Sequence, residues 1–490
     1  MVDFAEIPGS WAVPGSYTEV IDVPNPNRVA GMPLRCVIVG ATASKAAGTL
    51  YGNISAGQAA LVYGPGSVMA QAVATFIQEQ PTLQVDAVAA PLAGGATAAS
   101  ATITFTGTAT AAAQGAVWIA GQRVTFSVSQ GTTAVQASGA LLAAIFASPL
   151  MQKTGVTAAQ GQNGAVTLTA GDAGALGNDL DVRVSTARQD MTPGLVVTVT
   201  PFAGGAGTSD ISTALQALGD SWYTDLILLA NDPASIQLAV QEANRRGKAM
   251  VGQDMRVWVA VRATQGQALA LAKQFDTAQE LVLLPMQAPR ASSWNVTAAL
   301  AAQGAQSLNT DPARQLRGLP LSTQTGLGPD AADVFDMAAR QVLLMNGCST
   351  FRQASDGTIT LERVVTTRTQ DPVTSAPVAP WDVMLPAIAA RVRFEWNAYV
   401  EGTYARAKLA DDDSPLALAD GVVTCRTLKG SWVAQCGIYQ GNGWVDDVKE
   451  MAPQAVFTRD ASDRNRVNAS LPVRAMGSLM VLANQLQLQY

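Results

Sequence analysis

The sequence predicts an α/β (α+β) protein: a mixed-sheet α/β core, an inserted β-rich domain, and extended arms at both ends. Three observations carry this reading. In residues 34–94 and 206–310, short apolar strands alternate with amphipathic helices, the pattern of a parallel or mixed sheet covered by helices. Between them, residues 95–205 are dominated by Thr, Ala, Gly and Val, in segments that alternate with period two. At the two ends, prolines crowd residues 1–33, and QLQLQY (485–490) alternates Leu486, Leu488 and Tyr490 with glutamines.

Taken in order, IPGSWAVPGSYTEVIDVPNPN carries proline every few residues, which excludes helix. Within it, residues 17–23 form a short strand candidate. Its large apolar groups (Trp11, Val13, Tyr17, Val20, Ile21) are too many for the arm to bury alone, so it either wraps its own domain or reaches a neighbouring chain. RCVIVGATA predicts a buried strand. The next segment predicts a helix with Val68, Met69, Ala72, Val73, Phe76 and Ile77 on one face, stopped by Pro81. LQVDAVAA returns as a strand.

In the β-rich part, ATITFTGTA, GAVWIAGQRVTFSVS, GAVTLTA, DVRVST and LVVTVTP predict strands, and TAVQASGALLAAIFAS one covering helix. Beyond it, DISTALQALGD predicts a helix and TDLILLA a buried strand. DPASIQLAVQEANRRG predicts a helix capped by Asp232 with Pro233 in its first turn. MRVWVAVRA, GQALALAKQFD and ELVLLPM continue the alternation. Residues 311–380 combine a Pro/Gly-rich loop, a helix over 330–347 and a hairpin strand, TITLERVVTT. Residues 382–405 predict a long helix broken at Pro386. Residues 420–490 predict a helix (NGWVDDVKEM), an Arg-bearing stretch and a terminal strand. The expected boundaries are 1–33, 34–94, 95–205, 206–380, 381–475 and 476–490.

Composition bounds the function. At 490 residues, about three domains are expected. The chain is 48% hydrophobic and 14% charged, enough to bury a large core. A net charge of -6 disfavours wholesale nucleic-acid binding, because neutralising phosphates requires a basic face. There is no histidine, which removes Ser-His-Asp and Cys-His nucleophile systems and most transition-metal sites. Cys36, Cys348, Cys425 and Cys436 lack zinc-ligand spacing and read as reduced, mostly buried thiols. The first thirty residues match neither a signal nor a transit peptide, and no apolar run suits a membrane span.

Motif matches fail on chemistry. VIVGATASK (37–45) has Ser44 where a phosphate loop needs its second glycine, and Ala46 after Lys45. DDDSPLALAD (411–420) lacks the mid-loop Gly and the twelfth-position Glu of a calcium loop, and reads as a solvated acidic loop. The Gly/Asp-rich 169–182 does not iterate, so turns between strands explain it. Arg459, Arg464, Arg466 and Arg474 are interleaved with Asp460 and Asp463, which leaves internal salt bridges and a docking patch equally open. No catalytic, cofactor-binding or metal-ligating set emerges, and no cofactor is expected.

The combined order resembles the tail sheath proteins of contractile bacteriophages, in particular the Mu-like type. IPGSWAVPGSYTEVI looks like that family's N-terminal arm, CVIVGATA and VYGPGSVMAQAVATFIQEQPTLQVDAVA like its first α/β segment. WIAGQRVTFSV and TAGDAGALGNDLDVRV look like its inserted β domain, and TRDASDRNRVNASLPVRAMGSLMVLANQLQLQY like its terminal segment. The resemblance implies a structural, non-enzymatic virion protein, assembled in the host cytoplasm as stacked hexameric rings around the tail tube.

It further implies partners: other copies of the chain, the tail tube protein, and baseplate and tail terminator proteins, with no nucleic acid and no membrane insertion. Contraction would drive the tube through the host envelope. Residues 381–475 would form an inner domain, and 95–205 would face outward. Tyr17, Val20, Ile21, Leu486, Leu488 and Tyr490 become intersubunit strand candidates, and the four arginines tube- or neighbour-facing candidates. The terminal strand could still complete a sheet of its own domain. Two other classes stay open: an α/β nucleotide- or sugar-processing enzyme with a β-rich accessory domain, and a surface or capsid-decorating lattice protein.

Overall fold

The computed structural model describes residues 31–489. Contacts divide the chain into two units: Met32–Arg391 together with the segment from Ala475, and Val392–Arg474.

The first unit opens with β1 (Cys36–Thr42), α1 (Ala56–Tyr63), α2 (Val68–Glu79) and β2 (Val85–Pro91). Ser55 and Ser67 cap the two helices by accepting from backbone N–H groups. α2 buries Met69, Ala72, Val73 and Phe76, the predicted apolar face.

Then follow β3 (Ser100–Gly107), β4 (Ala113–Ile119), β5 (Gln122–Val128), α3 (Ala134–Ala147), β6 (Val156–Gln160), β7 (Ala165–Ala170), β8 (Val182–Val184) and β9 (Leu195–Ala203). They form two antiparallel sheets, ordered β6-β7-β3-β9 and β5-β4-β8. Phe105 and Phe126 meet edge-to-face at 5.3 Å, joining the two sheets.

The chain continues through α4 (Ser212–Gln216), β10 (Asp225–Leu228), α5 (Pro233–Gly247), β11 (Arg256–Arg262), α6 (Gln265–Lys273), β12 (Leu281–Met286) and α7 (Ser293–Thr310). Asp232 caps α5 through Ser235 N–H, with Pro233 in the first turn as its sequence requires. α8 (Met337–Met345), β13 (Thr350–Gln353), β14 (Ile359–Arg363) and α9 (Met384–Tyr404) complete this stretch, α9 ending past the unit's boundary.

β12-β11-β10-β1-β2 form one sheet, parallel at every pairing. One face packs Val37, Val39, Leu226, Leu228, Val257 and Leu283 against α4, α5, α6 and α8. On the other, α2 packs against α7. This is a doubly wound arrangement: from β1 the chain moves to β2 on one side, then returns through β10 on the other. The antiparallel pairing expected of a mixed sheet is confined to hairpins, the inserted sheets and single bridges at the edges.

Within Val392–Arg474 lie β15 (Lys408–Leu409), β16 (Val422–Val423), α10 (Cys425–Gly441), α11 (Val448–Met451), and the antiparallel hairpin of β17 (Val456–Arg459) with β18 (Val467–Ser470). Its core is aromatic. Trp396 meets Trp432 at 5.1 Å, Trp432 meets Tyr439 at 6.3 Å, and Tyr439 stacks on Trp444 at 5.9 Å. Phe457 of β17 reaches Trp396 at 6.4 Å, seating the hairpin on this cluster.

Several sequence expectations change. α9 is continuous: Pro386 is its third residue, in the first turn, where a missing N–H removes no helical bond. The helix expected over 442–451 shortens to the four residues of α11, entered from Asp447 in the left-handed region (φ 53°). α1, α7, α10, β6, β13 and β15 to β18 were not read from the sequence.

Candidate functional site

The predicted terminal strand is not a strand in the single chain. Residues 476–489 hold no regular secondary structure. Leu486 and Leu488 are 86% and 82% exposed, and Leu479, Val481 and Leu482 stand open beside them. The Met480 carbonyl accepts a bond from Arg317 Nη1 at 3.2 Å.

The physical reason lies at the edges of the central sheet, which the chain covers itself. Along β2, Gly48 N–H donates to Ala89 O (2.8 Å), Tyr51 and Ala87 exchange both backbone bonds (2.9 Å), and Ile54 N–H donates to Val85 O (2.9 Å). Along β12, Ser349 N–H donates to Leu283 O (2.8 Å) and Thr367 N–H to Leu281 O (3.0 Å). The period-two pattern therefore has no open edge of the large sheet to join. Tyr17, Val20, Ile21 and Tyr490 lie outside the described residues.

The arginines are mostly spent within their own unit. Arg459 pairs with Asp411 at 2.7 Å and donates twice to the Arg464 carbonyl (3.0 and 2.8 Å), bracing the hairpin turn. Arg474 pairs with Asp447 at 2.7 Å. Arg466 donates to Asn468 at 2.8 Å and lies 3.9 Å from Asp460. The Arg464 side chain is exposed and enters no ion pair among the described residues. Asp460 accepts from Ser462 Oγ, Asn468 Nδ2 and the N–H groups of Ser462 and Asp463, which hold its carboxyl far below the usual range. Reinforcement of the hairpin, and for Arg474 a tie to the entry of α11, accounts for this cluster except for the Arg464 side chain.

β18 itself presents an exposed strand: Asn468, Ala469 and Ser470 are open to solvent, and its only sheet partner among the described residues is β17. A two-stranded sheet of four residues a side is marginal by itself.

The remaining place to look for chemistry is the switch point between β1 and β10, where doubly wound sheets bind ligands. A Cβ on Gly40 would sit 2.7 Å from Met69 Sδ, so the glycine serves the packing of β1 on α2. Lys45 is exposed.

The crevice is filled by the chain's own residues 171–183, the Gly/Asp-rich stretch read above as turns. Asp172 Oδ2 accepts the N–H of Val68, the first residue of α2, at 2.7 Å. Asp179 Oδ2 accepts from Asn231 Nδ2 and Ser293 Oγ, both at 2.6 Å. Asp181 pairs with Arg262 at 3.1 Å and with Arg183 at 2.6 Å. Burial pushes the carboxyls of Asp172 and Asp179 above their ordinary range, against the pull of those donors. A cavity of about 90 Å³ remains, lined in part by Gly40, Val68, Asp172, Leu180, Asn231 and Trp294. A carboxylate already occupies the N-terminus of α2, so this crevice opposes an anionic ligand rather than welcoming one.

Asp172, Asp179 and Asp181 were legible only as turn residues, because their partners lie at 68, 231, 262 and 293. In the acidic 411–420 loop, Asp412 accepts the N–H of Arg426 in the first turn of α10 at 2.8 Å. Among the described residues no group of three or more His, Cys, Asp or Glu is placed to hold a metal ion. All four cysteines are free, with thiols pushed up chiefly by burial. No described helix is long and apolar enough to cross a membrane.

Comparison with known proteins bears on this arrangement. Residues 204–367, from the end of β9 to just past β14, match the phage tail sheath protein central domain. The chain is 27% identical over 494 residues to the Mu-like prophage FluMu tail sheath protein of Haemophilus influenzae, covering 99% of each. Among solved structures, it is similar to the sheath tail protein of Desulfitobacterium hafniense (TM-score 0.48, 14% identity, 95% of this chain and 97% of that one). It is also similar to a chain of the anti-feeding prophage baseplate in its contracted state (TM-score 0.45, 11% identity, 98% and 100%).

Proposed function

We propose that this chain polymerises as stacked hexameric rings around a tail tube, through strands that its ends donate to neighbours, and contracts to drive the tube through the host envelope. The premise is that it carries a phage tail sheath central domain and is a full-length homologue of a Mu-like prophage tail sheath protein. That makes it a structural subunit of a contractile tail sheath, not an enzyme. The single observation behind the finer reading is the segment 476–489: patterned as a strand, apolar on one side, exposed, and without a sheet among the described residues.

The acceptor we favour is the edge of β18 in a neighbouring copy. Adding a strand there would turn a marginal hairpin into a three-stranded sheet, with Leu486 and Leu488 directed to one face. Residues 17–23 of the N-terminal arm would supply a further strand. Six residues span about 20 Å. At about 0.5–1.5 kcal/mol net per hydrogen bond, one joint gains several kcal/mol. Ordering costs roughly 1–2 kcal/mol per residue, so a single joint is weak. A lattice joining every subunit to several others gains by effective concentration.

In this reading residues 381–475 form the inner part facing the tube, and 95–205 face outward. Arg464 is the arginine left for an outside partner. The partners are other copies, the tail tube, baseplate and tail terminator proteins. The subunit assembles in the host cytoplasm and serves in the virion. Removing residues 480–490 tests the proposal: the truncated chain should fold but form no tubes in electron micrographs. Normal tubes from it would end the strand-exchange reading.

A further inference from the structure

In a doubly wound sheet the crevice at the switch point is ordinarily completed by a ligand. Here it is completed by the inserted domain. We infer that residues 171–183 form a strap that locks the inserted β-rich sheets to the parallel-sheet body, so that the two move as one unit and not as a body with a hinged appendage.

The strap is tied to α2, the loop after β10, α7, β11 and the chain beyond β12. Asp172 holds the first N–H of α2. Asp179 takes Asn231, from the loop after β10, and Ser293, at the start of α7. Asp181 takes Arg262, the last residue of β11. Arg183 reaches Asp330 at 2.6 Å and the Ala288 carbonyl, beyond β12, at 2.9 Å. Arg290 also pairs with Asp330 and lies over the Trp118 ring of β4, with its guanidinium 5.1 Å from the centroid.

The backbones touch as well. A Cβ on Gly155, at the start of β6, would lie 2.3 Å from the carbonyl oxygen of Gly66 in the loop before α2. One on Gly171 would lie 2.4 Å from the Gly155 oxygen. Gln71 of α2 clamps this contact, donating to Gly66 O at 2.7 Å and to Thr154 O at 3.0 Å, while Trp294 Nε1 donates to its Oε1 at 3.2 Å.

Opening the strap would strand several partly desolvated charges at once. Removing one partner of such a pair leaves the other uncompensated, so the contact resists partial release. The inference goes beyond the sheath reading by stating which parts of a subunit rotate together when subunits rearrange.

Amide hydrogen exchange on the full-length chain tests it, with Asp172→Asn and Asp179→Asn as variants. In the wild type, amides of 171–181 should exchange at least about tenfold more slowly than those of the exposed turn residues Gln162 and Asn163. Each variant should speed exchange in the strap and over 68–71 by about tenfold, while leaving β4 and β5 unchanged. Should Asp179→Asn fail to fold, Asp172→Asn at the less buried carboxylate gives the same reading. Calorimetry supplies a second readout, in which the inserted sheets and the parallel-sheet body should melt in one transition. Turn-like exchange of the strap in the wild type, unchanged exchange in Asp172→Asn, or separate melting of the inserted sheets would each overturn the inference.

Discussion

The parallel-sheet body and the segment 476–489 handle the same problem in opposite ways. Both carry apolar residues in patterns that call for pairing. The body closes itself: residues 48–54 cover β2, and Ser349 with Thr367 covers β12. The strap closes the crevice between β1 and β10. The C-terminal segment leaves Leu486 and Leu488 in solvent. An open, pairable strand is a liability that proteins normally hide. The difference teaches that the body closes its sheet within one chain, while the terminal segment stands exposed and, in the proposed reading, contributes only when another surface completes it.

Substitutions should separate the two sharply, and the largest effect belongs to the body. Asp225 is fully buried, held between the Arg256 guanidinium (2.9 Å) and Trp258 Nε1 (2.9 Å). Asp225→Ala leaves Arg256 unpaired and should cost roughly 3–5 kcal/mol in denaturant unfolding. Phe76→Ala, at a fully buried position of α2, should cost a similar roughly 3–5 kcal/mol through the cavity it leaves. A loss under about 1 kcal/mol from both would contradict a self-sufficient body.

In the hairpin unit the expected effect is smaller. The Arg459–Asp411 pair involves an Asp411 side chain that is 69% exposed. Arg459→Ala should therefore change stability by about 1 kcal/mol or less. Smallest of all is the terminal segment. Leu486→Ser with Leu488→Ser should leave the melting of the monomer within about 0.5 kcal/mol of wild type while abolishing tubes. Destabilised monomer would mean that the segment packs on its own chain after all.

Acidity sharpens the same contrast. Asp172 and Asp179 have folded-state pKa values raised by burial, so their contribution to stability is present at low pH and lost as pH rises through those values. Asp179 faces Arg262 from β11, Asn231 from the loop after β10 and Ser293 from α7. Glu242 goes the other way: Arg245 and Arg246 outweigh its burial and lower its pKa, so its contribution is lost only in stronger acid. Melting followed against pH should show the body gaining stability from neutral to mildly acidic solution, then losing it.

How far the sequence could be read follows from the same physics. β1, α2, β2, β10, α5, β11 and β12 were legible because their apolar period and caps agree: Asp232 and Pro233 mark α5, and Pro81 follows α2. α7 escaped because it is buried on nearly every side. Thirteen of its 18 residues, from Ser293 to Leu308, are enclosed, so it shows no polar face to reveal a period. The strap's carboxylates escaped because local spacing says nothing of partners 52 to 114 residues away. The period-two pattern at the C-terminus predicts a strand, yet residues 476–489 form none among the described residues, because alternation says nothing of whether an edge is there to pair with.

The central claim is that residues 476–489 become a strand only in a neighbour. A cryo-electron microscopy map of assembled tubes, at a resolution that traces the backbone, tests it most directly. The account predicts residues 482–489 hydrogen-bonded along β18 of an adjacent subunit, with Leu486 and Leu488 covered. The same residues lying unpaired, or folded against their own subunit, would contradict it.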